Sequence, residues 1–170
     1  VQVLPTPPLQ PGNQALFDRA VALLREQQYE SAEVLFQELT SSQPELAGPW
    51  VNLGHVQLAQ GRAEEAQAAF AQALQANPKN CDAHNQMGLM ARREGRFSDA
   101  EQHYLSCLEA NPGYHHARLN LGILYELYMG RLGEALASYH DYQALLARPD
   151  DRVNGWVMDL ERRVASVAKR

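Results

Sequence analysis

The sequence predicts an all-α solenoid of antiparallel helix pairs, four hairpins closed by a C-terminal capping helix. Three observations carry that prediction. The first is a long-range period: Pro44, Pro78 and Pro112 stand 34 residues apart, as do Gly54, Gly88 and Gly122, and Ala32, Ala66 and Ala100. Independent columns at one period mark stacked repeats rather than a single globular core. The second is short-range: within each unit, apolar residues recur at helical spacing on two stretches separated by a turn. The third is composition. Ala, Leu, Gln, Glu and Arg dominate, strand formers never cluster, and 45% of the residues are apolar, enough to bury a continuous face.

Residues 1–12 carry Pro5, Pro7, Pro8 and Pro11 and no charge, which predicts an extended Pro-rich tether. Its PxxP spacings lack the flanking basic residue that groove-docking ligands carry. The first hairpin, residues 13–46, places Leu16, Ala20, Leu23 and Leu24 before Gln27-Gln28, and Ala32, Leu35, Phe36 and Leu39 after them. Residues 47–80 repeat this with Trp50, Leu53, Gly54 and Leu58, the turn Gly61-Arg62, then Ala66, Phe70, Ala73 and Leu74. Residues 81–114 supply Met87 and Gly88, Gly95-Arg96, then Ala100, Tyr104, Cys107 and Leu108. The fourth hairpin, residues 115–149, has Leu121, Gly122 and Tyr125, then Gly130-Arg131, Ala135, Tyr139 and Tyr142. Ala135 follows Ala100 by 35, which places a one-residue insertion near residues 126–130. In residues 150–170, Asp150-Asp151 offers an N-cap, and Val153, Trp156, Val157, Leu160, Val164 and Val167 form one apolar stripe. Arg162, Arg163, Lys169 and Arg170 suit a helix C-terminus. A capping helix is expected there. The rival, a helix lying on a membrane, fits less well because Asp159 and Glu161 share the polar face with the bases.

Each column has a physical reason. Gly in mid-helix costs about 1 kcal/mol against Ala, so Gly54, Gly88 and Gly122 imply a close helix approach. The rings of Phe36, Phe70, Tyr104 and Tyr139 would fill the space beside the small residue, with Ala32, Ala66, Ala100 and Ala135 keeping the crossing tight. Gly61, Gly95 and Gly130 fit left-handed C-caps, and Asn77-Pro78 and Asn111-Pro112 end second helices. The first hairpin departs from the pattern, with Arg19-Ala20 where later units have an apolar residue and Gly, and with no Gly at its turn. A terminal repeat is free to differ.

No constellation with diagnostic spacing carries chemistry. There is no Gly-rich phosphate loop, HExxH or nucleophile elbow, so no catalytic residue and no cofactor are expected. His103 and Cys107 are four apart, but Cys107 falls in the column of Leu39 and Ala73 and reads as a buried structural residue. His55, His84, His115 and His116 differ in repeat phase, so no metal site is expected. Cys81 and Cys107 open and close the third hairpin, and an oxidising compartment would allow them to join. A net charge of -5 and pI near 5.7 give no general attraction for nucleic acid or anionic lipid. No apolar run has the roughly 18–20 residues of a membrane-spanning helix.

The pattern resembles the tetratricopeptide repeat family: its W-x-x-L-G signature, then A-x-x-x-F, then P, is matched at Trp50, Leu53, Gly54, Ala66, Phe70 and Pro78. The likeness extends from residue 13 to about residue 149. It implies a right-handed superhelical solenoid whose concave wall, lined by the first helix of each hairpin, holds a peptide or partner helix. Carried over column by column, the wall residues are Phe17, Val21, Val51, Asn52, His55, Asn85, Gln86, Leu89, Arg92, His116, Leu119, Asn120 and Ile123. Asn52, Gln86 and Asn120 share a column where amides can meet a peptide backbone. Some relatives grip a chaperone's terminal carboxylate with Lys, Asn and Arg, where this chain has Phe17 and Val21, or Val51 and His55. That clamp is absent.

The resemblance therefore implies a non-enzymatic protein or peptide binder. The tether is similar to the leader of bacterial envelope lipoproteins with such repeats, and the Ala, Gln and Arg usage is bacterial in character. Together these point to a secretion, pilus or cell-envelope assembly, periplasmic or anchored to the outer membrane, with a cytoplasmic location as the alternative. Membrane contact would come only through an N-terminal lipid anchor outside this chain. The competing reading is a structural spacer or self-associating module; a thiol or metal enzyme built on Cys107 is the third.

Overall fold

A computed structural model describes residues 11–167. Among the described residues there are nine α-helices, one π-helical turn and no strand. The chain divides into two compact units, Val1–Ala83 and His84–Arg170.

The first unit contains α1 (Pro11–Arg25), α2 (Tyr29–Ser42), α3 (Ala47–Ala59) and α4 (Ala63–Ala76). Residues 1–10 of the expected tether lie outside the described residues. Pro11 is instead the first residue of α1, a position where the missing N–H has no helical partner to lose. Each helix packs on the next in sequence. Ala20, Ala32, Phe36, Leu39, Leu53, Val56 and Ala69 form the buried core, flanked by Leu16, Leu23, Leu24, Leu35 and Trp50. The indole N–H of Trp50 donates to the carbonyl of Pro44 at 2.9 Å, anchoring α3 to the linker that precedes it. Gly54 lies directly on the ring of Phe70, where an added Cβ would come within 2.6 Å of Cε1. Phe70 is fully buried, a burial that contributes about 2–3 kcal/mol.

In the second unit, α5 (Cys81–Arg93) continues from the unit boundary, followed by α6 (Phe97–Ala110), α7 (His115–Leu124), α8 (Leu132–Ala144) and α9 (Asp151–Val167). The glycine contact recurs: added Cβ atoms at Gly88 and Gly122 would each lie 2.5 Å from Cε1 of Tyr104 and Tyr139. Neither Cys81 nor Cys107 is a free thiol, and Cys107 is fully buried. The expected insertion is realised inside a helix rather than in a loop. Tyr125–Met129 forms a π-helical turn that takes up the extra residue before Gly130.

Gly61, Gly95 and Gly130 all adopt left-handed φ, at 78°, 77° and 66°. The first hairpin, without a glycine there, forces Gln27 to φ 60°. The arginine after each turn glycine bonds a carboxylate three residues on, Glu65, Asp99 and Glu134 respectively. Two of them also reach back to the hairpin before: Arg62 to Glu33 at 2.5 Å, and Arg131 to Glu101 at 2.7 Å.

Asp150 caps α9, accepting from the backbone N–H groups of Arg152 and Val153 at 3.0 and 3.3 Å. Val153, Val157 and Leu160 are buried, and Trp156 stands 5.7 Å from the ring of Tyr139. The part of the stripe from Val153 to Leu160 is thus packed against the protein itself. Lys169 and Arg170 lie outside the described residues. Among the described residues no helix is long and apolar enough to cross a membrane.

Candidate functional site

In the first unit the expected wall residues are largely engaged by the fold. Phe17 and Val21 are half-buried and pack against the core of the first hairpin, Phe17 edge-on to Phe36 at 6.0 Å. Val51 needs correcting, because only 6% of it is exposed. The helix α3 buries Ala47, Pro49, Val51, Leu53, Gly54, Val56 and Gln57, and a helix apolar nearly all round has little face left for a ligand. Asn52 spends an amide N–H on the carbonyl of Gly48, one turn back, at 2.9 Å. His55 is half-buried with its ring edge-on to Phe70 at 5.5 Å. Burial lowers its pKa, a shift that the charge of Asp82 only partly offsets.

In the second unit Asn85 also proves to be core, 6% exposed, because its carbonyl accepts the amide of Asn120 at 2.9 Å. That bond ties α5 to α7 and takes an amide N–H of Asn120, one member of the expected peptide-reading column, into the fold. His116 is exposed, with rings of His115 and Tyr114 at 4.1 and 5.8 Å. Gln86, Leu89, Arg92, Leu119 and Ile123 remain half-exposed on α5 and α7. Leu89, Leu119 and Ile123 among them are apolar, and Arg92 is the one cation.

Arg92 is the distinctive member. Its Nη1 is shut off from solvent and meets no acceptor. Its guanidinium carbon lies 5.8 Å from the ring centroid of Tyr128, an exposed residue of the π-helical turn whose ring is 5.1 Å from that of Phe97. Sequence reasoning passes over Tyr128 and Phe97, which lie off the repeat columns; the insertion beside Gly130 is the available signal. Tyr104, fully buried on α6, also has a hydroxyl without a partner. Burial pushes its pKa up to about 12, opposed by the charges of Arg92 and Arg93.

Elsewhere in the same unit tyrosine and arginine converge on carboxylates. Glu101 accepts from the Tyr125 hydroxyl and from Arg131, both at 2.7 Å. Glu126 accepts from Tyr139 at 2.9 Å and from Arg163 at 2.6 Å. Asp150 accepts from Tyr142 at 3.3 Å and from Arg152 at 3.4 Å. Burial, reinforced by the hydrogen-bonded carboxylate, raises the pKa of Tyr125 and of Tyr139. Among the described residues no group of three or more His, Cys, Asp or Glu is placed to hold a metal ion.

A family model described as tetratricopeptide repeat matches residues 51–115 and 86–151, together well over half of the chain. No curated protein matches it. Among solved structures, PilF of Pseudomonas aeruginosa superposes with a TM-score of 0.78 at 20% identity, covering 91% of this chain and 69% of PilF. MamA of Desulfovibrio magneticus RS-1 gives 0.74 at 15% identity, covering 93% and 88%. PilW, a widely conserved type IV pilus biogenesis factor, gives 0.70 at 24% identity, covering 80% of this chain and 63% of PilW. These likenesses are of fold. Repeat period, turn glycines, ring-on-glycine packing and the matched residues agree, and the chain belongs to the tetratricopeptide repeat family.

Proposed function

We propose that the chain is a non-enzymatic scaffold that binds a peptide or helix of a partner protein, using the half-exposed faces of α5 and α7. The observation that carries this is the partial exposure of Gln86, Leu89, Arg92, Leu119 and Ile123, which we read as one strip across α5 and α7. Apolar surface left partly open between polar groups on a repeat helix is what a partner's apolar anchors fill. Scaffolding is also the general role of proteins in this family. The partner belongs to a bacterial cell-envelope, secretion or pilus assembly on the periplasmic side. Support for that placement comes from PilW, a type IV pilus biogenesis factor of the same fold, and from the lack of a free thiol, which suits an oxidising compartment.

The test is photo-cross-linking in cells, with the probe at Ile123 on the strip or at exposed Leu105 on α6. One discrete protein adduct at Ile123 and none at Leu105 is expected. Adducts confined to Leu105 would assign binding to another face.

A further inference from the structure

Resting on the wall reading above, we propose that Arg92 and Tyr104 form a subsite for a glutamate or aspartate side chain of the bound partner, with Tyr128 and Phe97 as the platform for the apolar residue beside it. The second unit itself shows what this donor pair is for. Three times a tyrosine hydroxyl and an arginine grip one carboxylate: Tyr125 and Arg131 on Glu101, Tyr139 and Arg163 on Glu126, Tyr142 and Arg152 on Asp150. Arg92 and Tyr104 are a fourth such pair, electrostatic neighbours with no carboxylate between them.

The repeat columns put the two donors at the positions of a bonded pair in the next hairpin. Leu24, Leu58, Arg92 and Glu126 share one column, and Phe36, Phe70, Tyr104 and Tyr139 share the column of rings. In the first two hairpins both partners are apolar and neither needs a hydrogen bond. In the fourth, Tyr139 donates to Glu126 across its own hairpin at 2.9 Å. The third has the tyrosine but an arginine where the carboxylate would stand, so no acceptor satisfies either group. A buried hydroxyl and a shielded guanidinium N–H left unmade are each costly, and one incoming carboxylate would satisfy both. Glu126 accepts from Tyr139 and Arg163 and bonds neither Arg92 nor Tyr104.

Arg92 is half-exposed while its Nη1 and the Tyr104 hydroxyl are closed to solvent, so the carboxylate enters as the Arg92 side chain swings outward. Beside Arg92 the Tyr128 ring is 46% exposed and leans on Phe97, leaving an aromatic face next to the cation. The preferred motif is therefore an acidic residue adjacent to an apolar one, presented as a side chain, in the way Glu101 and Glu126 are presented.

The test is an NMR titration of the isotope-labelled full chain, following the Arg92 guanidinium and the Phe97 and Tyr128 rings. The probes are acetyl-Glu-Leu-amide, acetyl-Gln-Leu-amide, and acetyl-Gln-Leu with a free carboxylate. A saturable response to the Glu probe, with the two Gln probes weaker by roughly tenfold or more, is expected for a charge-assisted bond. Arg92→Leu and Tyr104→Phe copy the Leu58 and Phe70 pairing of the second hairpin, and each should weaken the Glu probe. Equal response to Glu and Gln, which would mean water is the acceptor, or response only to the free terminal carboxylate, or none, overturns the proposal. An adduct at Ile123 without a response at Arg92 would leave the binding strip standing and remove only this subsite.

Discussion

Gly54→Ala tests whether the repeated glycine is a packing device. On an exposed helix the change would stabilise by about 1 kcal/mol. Here the new Cβ would stand 2.6, 2.8 and 2.9 Å from Cε1, Cζ and Cδ1 of Phe70, where carbon atoms ordinarily sit about 3.5–4.0 Å apart. The ring would have to retreat by roughly 1 Å. It is fully buried, with the His55 ring edge-on at 5.5 Å, so a retreat of that size presses it on buried neighbours. Overpacking of this kind costs about 1–3 kcal/mol, and three atoms in conflict put it in the upper part of that range. After the helix-propensity gain, a net loss of about 1–2 kcal/mol remains. For a chain of this length that lowers Tm by roughly 2–8 °C, read by far-UV circular dichroism. Gly155→Ala in α9, with nothing within 4 Å of the added atom, is the control and should raise Tm by about 2–4 °C. Phe70→Leu added to Gly54→Ala should give a loss smaller than the sum of the two. Unchanged or increased stability of Gly54→Ala beside a stabilised Gly155→Ala would refute close approach as the reason for the column.

Gln27 holds a left-handed φ without being glycine, so Gln27→Gly should stabilise by about 0.5–1 kcal/mol in urea unfolding, whereas Gly130→Ala should lose about 1 kcal/mol. His55 and His103 both have lowered pKa values, chiefly through burial, with His84 adding to the effect at His103 and Asp82 and Asp99 opposing it. Their neutral forms are favoured in the fold. Stability from this source is complete above the ordinary histidine pKa of about 6.5 and declines as pH falls below it, and replacing both with Gln should flatten that slope between about pH 7.5 and 5.5. Burial pushes the pKa of Asp150 up, but backbone N–H bonds from Val153 and Arg152, the Arg152 charge and the Tyr142 hydroxyl hold it below the usual carboxylate range. Its contribution is therefore full above that range and is lost as pH falls through the depressed value; Asp150→Ala should lower the urea midpoint near neutral pH and make that midpoint less sensitive to acid. Light scattering across a dilution series should give a constant monomer mass; a mass rising with concentration would favour the self-associating alternative.

The repeat is legible because its demands are local and strict. A left-handed turn at Gly61, Gly95 and Gly130, or a ring against Gly54, restricts the residue type wherever it occurs. The extra residue near Gly130 can be counted, though its form cannot: whether a helix widens or a loop lengthens depends on packing around it. The wall is less legible. Repeat phase tells which way a side chain points and says nothing of what has already taken it, so it assigns Val51 and Asn85 to a surface they do not reach. By phase alone Asn120 is open to a ligand, but Asn85 stands opposite and takes its amide. The ring of Tyr104 fills space as the column demands, and its hydroxyl becomes informative only beside the satisfied hydroxyl of Tyr139.

The helix α9 bears on how the array can grow. It packs on α8 with Val153, Val157 and Leu160 buried, and Arg163 fastens it to Glu126. A second copy adding to the outer side of α8 would first have to peel α9 away, exposing three apolar side chains and freeing a half-buried carboxylate. Addition at that side therefore carries the cost of undoing packing that α9 already makes.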